Sequence, residues 1–275
     1  MRHKELAYFI NERIIVAIKK SNGEPRPWTD DEAISTYRFC NVYREWDTVS
    51  KYISSWLADK PKDQLITWAA LSRYTNEVGT LQRLNHHRLW DPTVIRKELK
   101  DWRDRGGRVF NPAYIISTNG ISMDKIDYIV EIVDSIHDNV GLKDHCTLAE
   151  AAAELMLIRG VGSFMAGQIV ADLKHTPLLA DAQDWWTWCA YGPGSKRGLS
   201  KVLGLDVKYP WRPKEFNVML AEVQVEVTPD LHFKQRLDAQ NFQNCLCEFD
   251  KWCRIVDGTG RPKQMYVPAT YRNGH

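Results

Sequence analysis

Apolar residues recur three and four apart along most of this chain, the spacing that gathers them on one face of an α-helix. Residues 4–19 read as an amphipathic opening helix. Pro25-Arg26-Pro27-Trp28 is a stiff break. Thr29-Asp30-Asp31-Glu32 reads as a capping box, with Thr29 as the N-cap. The spacing predicts one helix from there to about residue 58, with Phe39, Val42, Trp46, Val49, Ile53 and Trp56 as its stripe, ended by Lys60-Pro61. Further helices are predicted over 63–84, 91–104 and 123–138. Gly106 to Pro112 reads as a turn, and Tyr114 to Thr118 as a short extended piece. The stretch 206–215 is broken by prolines, helices are predicted over 216–226 and 236–255, and a basic tail starts at Asp257. No repeat, low-complexity segment or clear interdomain linker interrupts this pattern.

The most informative stretch runs from Leu155 to Ala166. A second capping box, Thr147-Leu148-Ala149-Glu150, opens an apolar helix that runs into Gly160-Val161-Gly162, and another apolar helix leaves at once and ends near Lys174. The two glycines permit a turn too tight for residues with a Cβ. The first backbone N–H groups of the second helix are left to bind phosphate. Arg159, Gly160, Val161, Gly162 and Ser163 are the candidate DNA contacts.

Composition narrows the reading. The 275 residues suffice for one large domain or two small ones, and 44% hydrophobic content can build a sizeable core. With 37 basic and 35 acidic residues the net charge is only +2, which excludes bulk coating of nucleic acid, so any DNA contact rests on a local patch. The 11 tryptophans are expected in the core more than on a base-stacking surface. No secretory signal opens the chain and no stretch reaches membrane-spanning length, so the expectation is a soluble protein in a reducing compartment with free thiols and no membrane partner. Cys245, Cys247 and Cys253 fit neither a zinc-ribbon nor an iron–sulfur spacing. No metal and no cofactor is expected.

Three polar segments carry candidate chemistry. On the predicted helix through residue 58, Arg38 and Glu45 project within roughly 20° of each other at about 100° per residue. Both lie at the edge of the apolar stripe, as a structural clamp or as the floor of a polar pocket. Gly192-Pro193-Gly194-Ser195-Lys196-Arg197-Gly198 reads as a glycine-rich loop opening a helix at Ser195. Its amides, hydroxyl and two cations suit a phosphate, with an ordinary turn as the other reading. Asp181 and Asp184 follow the hairpin as a candidate general base or as helix caps. Glu248 and Lys251 form an i,i+3 pair on the last helix, and Arg73 and Asn76 share one helix face.

Two resemblances follow from these residues. Residues 147–184 resemble the hairpin core of the helix-hairpin-helix DNA glycosylases. Asp181 and Asp184 bracket the place of the catalytic Asp, Phe164 stands at the lyase-lysine position, and the usual iron–sulfur cysteines are absent. More specifically, the chain resembles the α-glutamyl/putrescinyl-thymine pyrophosphorylases, or amino acid:DNA transferases. The matching blocks are Pro27 to Asp30, Tyr37 to Val42, Arg44 to Asp47, Arg73 to Asn76, Asp172-Leu173, Asp184, Gly192 to Leu199, and Cys247 to Trp252 with Arg254. Tyr43 departs from the pattern, which has a second basic residue there.

The resemblance implies an all-α, helix-hairpin-helix DNA glycosylase-like fold, with residues 1–275 as a single DNA-modifying helical domain or two lobes around a cleft. It also implies hypermodification of DNA in bacteriophage, in the cytoplasm of the infected host. An amino acid or polyamine displaces (pyro)phosphate from the 5-methylene of phosphorylated 5-hydroxymethyluracil in double-stranded DNA. On this reading the nucleotide is flipped into a pocket. Asp184, with Glu45 and Asp47, are the candidate bases. Arg38, Asn41, Arg44, Arg73, Asn76, Lys251 and Arg254 are candidates to bind the co-substrate. Gly192, Gly194, Ser195, Lys196 and Arg197 are candidates to hold the phosphate. The alternatives are a glycosylase acting on a modified base and a non-catalytic DNA-binding protein.

Overall fold

The computed structural model describes residues 1–112, 117–118, 120–143, 145–260 and 265. The expected extended piece at 114–118 falls largely outside them. The fold is all-α. Its helices among the described residues are α1 (His3–Ser21), α2 (Glu32–Thr36), α3 (Thr48–Ala58), α4 (Leu65–Thr75), α5 (Val78–Arg83), α6 (Pro92–Asp104), α7 (Lys125–Asn139), α8 (Leu148–Met156), α9 (Ser163–Leu173), α10 (Pro193–Leu203), α11 (Pro213–Val227) and α12 (Ala239–Val256). The described residues hold no strand beyond an isolated bridge between Tyr37 and Met265. None of their helices is long and apolar enough to cross a membrane.

The chain forms two compact units, residues 48–190 and a unit built from both ends, 1–47 with 191–275. In the first, α4 is the central helix: every one of its residues is buried, and α3, α7 and α9 pack around it. Trp56, Trp68 and Trp90 form an edge-to-face chain with ring centroids 5.4 and 5.6 Å apart, so these indoles are core. α8 begins in the full capping box expected at Thr147 and Glu150, and α9 packs against it. Gly160 joins the pair with φ +95°, and a Cβ there would meet Ile132 Cδ1 at 2.8 Å, so only glycine fits.

In the terminal unit α12 packs on α10, α11, α1 and α2. Phe9, Phe39, Phe249 and Trp252 form one aromatic cluster. α10 and α12 touch so closely that a Cβ on Gly198 would lie 2.0 Å from the Leu246 carbonyl oxygen.

The single helix expected through residue 58 is not formed. Asp31, rather than Thr29, caps α2 by accepting from the Ile34 N–H. α2 stops at Thr36, a 3-10 turn spans Arg44–Trp46, and α3 starts afresh at Thr48. Side chains of α12 take the backbone N–H groups that a helix ladder would have used. Cys40 N–H donates to Glu248 Oε2 (3.0 Å) and Arg44 N–H to Asn241 Oδ1 (3.0 Å). Phe39 and Val42 are still buried, but in irregular backbone. The helix expected over 63–84 is likewise broken, where Asn76 ends α4 in the left-handed region at φ 46°.

Candidate functional site

The polar centre of the terminal unit lies where the Arg38–Asp47 segment runs along α12. Asn241, Asn244, Glu248 and Lys251 recur three, four and three apart and so share one helix face. Asn241 is buried and reads the segment twice, accepting from the Arg44 N–H and donating to Glu45 Oε2 at 3.0 Å. Asn244 Nδ2 donates to the Asn41 carbonyl. Asn41 in turn donates through Nδ2 to Asp47 Oδ1 at 2.8 Å, with its backbone N–H on the same oxygen. Burial pushes the Asp47 carboxyl up from its ordinary value, against the hydrogen bonds of Asn41 and the charge of Arg44. Lys251 Nζ lies 2.7 Å from Glu248 Oε2 and over the Phe39 ring.

The adjoining cluster is cationic. Asp250, fully buried, lies within 3.5 Å of Arg197 (2.9 Å), Lys201 (3.0 Å) and Arg254 (3.5 Å). Three cations around one carboxylate leave a local excess of positive charge, and the side chains of Arg197 and Arg254 are more than a third exposed. Cys247 lies electrostatically between the two clusters. Burial, then the charge of Glu248, pushes its thiol up to about 11, while Lys251 and Arg197 pull it down.

The structure thus brings together Asn41, Arg44, Glu45, Asp47 and Lys251 in one cluster, and Arg197 and Arg254 in its neighbour. Arg38 is exposed, and the helical phase that set it beside Glu45 is absent. Lys196 Nζ lies 4.7 Å over the Tyr191 ring.

Several expected roles need correction. Gly194 and Gly198 are explained by helix contact rather than by a phosphate cradle. A Cβ on Gly194 would lie 2.4 Å from Cys247 Sγ, and Gly198 meets Leu246, so both allow α10 to approach α12. Ser195 is fully buried, its hydroxyl bonded to the N–H and carbonyl of Gly192, the α10 N-cap. Arg73 is no substrate ligand: it is 4% exposed and paired through Nε and one terminal nitrogen with Asp172. The same terminal nitrogen also donates to Ser50 Oγ, and the third nitrogen donates to Asn76 Oδ1. Asp184 accepts from the N–H of Leu148 (2.7 Å) and of Ala149 (3.0 Å), the capping alternative, and both carboxylate oxygens are engaged.

Arg159, Gly162 and Ser163 are exposed beside the turn between α8 and α9, whereas Val161 is buried. Gly162 is the N-cap of α9 and supplies no side chain to its first N–H groups. Sequence reasoning missed Asn241, Asn244 and Lys201, and read Glu248 only as half of an i,i+3 pair with Lys251, although Glu248 is buried. The signal was present in the three-four-three recurrence of polar residues on α12.

Among proteins of known activity, a "5-hmdU DNA kinase" of Bacillus phage SP10 is 26% identical over 227 residues, 71% of this chain and 35% of that protein. The chain therefore spans about a third of the length of the curated relative it matches. No solved structure matches the chain. The family model described as "5-hmdU DNA kinase, helical domain" matches residues 2–260, nearly the whole sequence. By that match the chain belongs to the family of 5-hmdU DNA kinase helical domains.

Proposed function

We propose that this chain modifies 5-hydroxymethyluracil-derived bases in DNA, by transferring an amino acid or polyamine onto the 5-methylene carbon. The observation that supports the modified-base part of this reading is the family match over residues 2–260, whose description names a 5-hmdU DNA kinase. The two adjoining clusters of the terminal unit fit the transfer step. The nucleophile's nitrogen attacks the methylene carbon, the C–O bond to the phosphate breaks, and the phosphate leaves with the bonding pair. Asp47, its carboxyl raised by burial, accepts the proton shed by the nitrogen. Arg44 and Lys251 hold the co-substrate's carboxylate, and Arg197, Lys201 and Arg254 stabilise the departing phosphate. The turn at Arg159 to Ser163, exposed at Arg159, Gly162 and Ser163, acts as a helix-hairpin-helix and grips the duplex backbone through the N-terminus of α9, whose N-cap Gly162 offers no side chain.

A second reading follows from the relative's printed activity. The chain is then the DNA-holding part of a phosphoryl transfer onto the hydroxymethyl group itself. Nucleoside mass spectrometry separates the two. Duplexes carrying 5-phosphomethyl- or 5-pyrophosphorylmethyl-deoxyuridine, incubated with the chain and a pool of amino acids and polyamines, should yield a nucleoside carrying one pool member in place of the leaving group. Unchanged phosphorylated duplex, with ATP-dependent gain of one phosphoryl group on 5-hydroxymethyl-deoxyuridine, would replace the transferase with the kinase reading. Released free base would make the chain a glycosylase.

A further inference from the structure

We propose that His86, His87 and Glu98, in the unit of residues 48–190, form a binding site for a divalent transition metal such as Zn²⁺ or Co²⁺. One ligand atom from each of the three side chains lies within 4.8 Å of the others. His87 Nε2 is 2.6 Å from Glu98 Oε2 and His86 Nε2 is 3.7 Å from the same oxygen. Ligands about 2.0–2.1 Å from a tetrahedral zinc are separated by roughly 3.3 Å. The two observed distances bracket that spacing, so small side-chain rotations admit an ion. The two imidazole rings are tilted 39° to each other with centroids 4.0 Å apart, and each turns its Nε2 toward the same carboxylate oxygen.

The surroundings fix these donors before any ion arrives. Arg83 Nε lies 2.8 Å from the other carboxylate oxygen, Glu98 Oε1, an ion-pair contact that leaves Oε2 facing the two imidazoles. Buried Lys60 donates to the carbonyls of Asn85 and His87, and Trp68 Nε1 donates to the Arg88 carbonyl at 3.0 Å. The backbone carrying the histidines is thereby pinned to the core. Two imidazoles and one carboxylate are borderline donors suited to zinc and its neighbours rather than to magnesium or calcium. His86 is 65% exposed in its side chain, so the coordination sphere opens to solvent and leaves a position for water or a ligand. Arg83 offsets part of the carboxylate's charge, which sets a modest rather than a very tight affinity.

Titration of the metal-free full chain with Co²⁺, followed by calorimetry and by the visible d–d bands of a low-symmetry nitrogen–oxygen site, tests this. One equivalent should bind, and H86A, H87A and E98Q should each weaken binding at least about tenfold. H86A removes an exposed ring and leaves folding intact, so it carries the test should H87A fail to fold; circular dichroism checks each variant. Absence of saturable binding, or binding that survives H86A and E98Q, overturns the proposal. Capture by cysteine would give a sulfur charge-transfer band that survives all three substitutions, and counts against it.

Discussion

Gly198 on α10 and the carbonyl oxygen of Leu246 on α12 are in such close register that a single added carbon would lie 2.0 Å from that oxygen. The obstacle is backbone in a helix interior and cannot swing aside. Gly198→Ala should therefore destabilise the terminal unit by about 1–3 kcal/mol or more. Gly192 has open space around its Cβ position and an ordinary φ of −123°, so Gly192→Ala should change stability by no more than about 0.5 kcal/mol. Urea unfolding of the pair distinguishes glycines kept for helix contact from glycines kept for phosphate, which would make G192A the damaging change for turnover.

On the proposed reading, in which Asp47 is the base, its carboxyl links turnover to pH. Its carboxyl is raised above the ordinary 3.8 in the folded chain, mainly by burial. The folded state then binds the proton more tightly than the unfolded chain. The stabilisation is complete below the unfolded value and is lost as pH rises through the folded value. D47N removes that loss and still accepts the Asn41 hydrogen bonds through its amide oxygen. Its melting temperature should match the parent near pH 3.5 and exceed it at pH 7, while transferase turnover falls about 10²–10⁴-fold. Equal melting temperatures at both pH values would show that Asp47 ionises at no cost to the fold.

How much of this was legible in sequence depended on whether neighbours in the chain supplied the partners. The cap at Thr147 and Glu150, the turn glycine at 160 and the amphipathic α6 and α7 all use residues close in sequence, and they were read correctly. The Arg38–Asp47 segment has the helical stripe, yet its backbone N–H groups are taken by Asn241 and Glu248, some two hundred positions away. No local pattern announces that competition. The glycine loop misled for the same reason. Gly-x-Gly before two cations has the appearance of a phosphate loop until Cys247 and Leu246 are seen against it.

Arg73 and Asp172 behave as one buried unit. With side chains 4% and 7% exposed, removing either leaves the other charge unpaired in a low-dielectric interior. R73A or D172A should cost about 3–5 kcal/mol, whereas replacing both with apolar residues of similar volume should cost far less. A double-mutant cycle by chemical denaturation measures the coupling. Were Arg73 a substrate ligand instead, R73A would raise KM for the co-substrate at nearly unchanged stability.

Asp184 stands between the two readings its sequence position allowed. Its two oxygens close the first turn of α8, so D184A should lower stability by about 0.5–2 kcal/mol, as loss of a cap does. D184N keeps one acceptor and should lose less. Turnover per folded molecule should be unchanged in both. A drop of a hundredfold or more in D184N with an intact fold would return Asp184 to the role of base and displace Asp47 from it.

The turn between α8 and α9 separates shape from charge in neighbouring residues. Gly160 has φ +95° and abuts Ile132 and Tyr128, so G160A strains the backbone and the contact together and should unfold the α8–α9 pair. Arg159 is exposed and contributes a cation to a surface that, on the proposed reading, meets DNA phosphate. R159A should leave the melting temperature within about 1 °C, because an exposed side chain contributes little to stability. It should weaken duplex binding equally on all sequences and reduce the slope of log affinity against log salt by about 0.9, the release of one counterion. Fluorescence anisotropy across a salt series measures both. A changed sequence preference without a change in slope would mean that Arg159 reads base edges rather than the backbone.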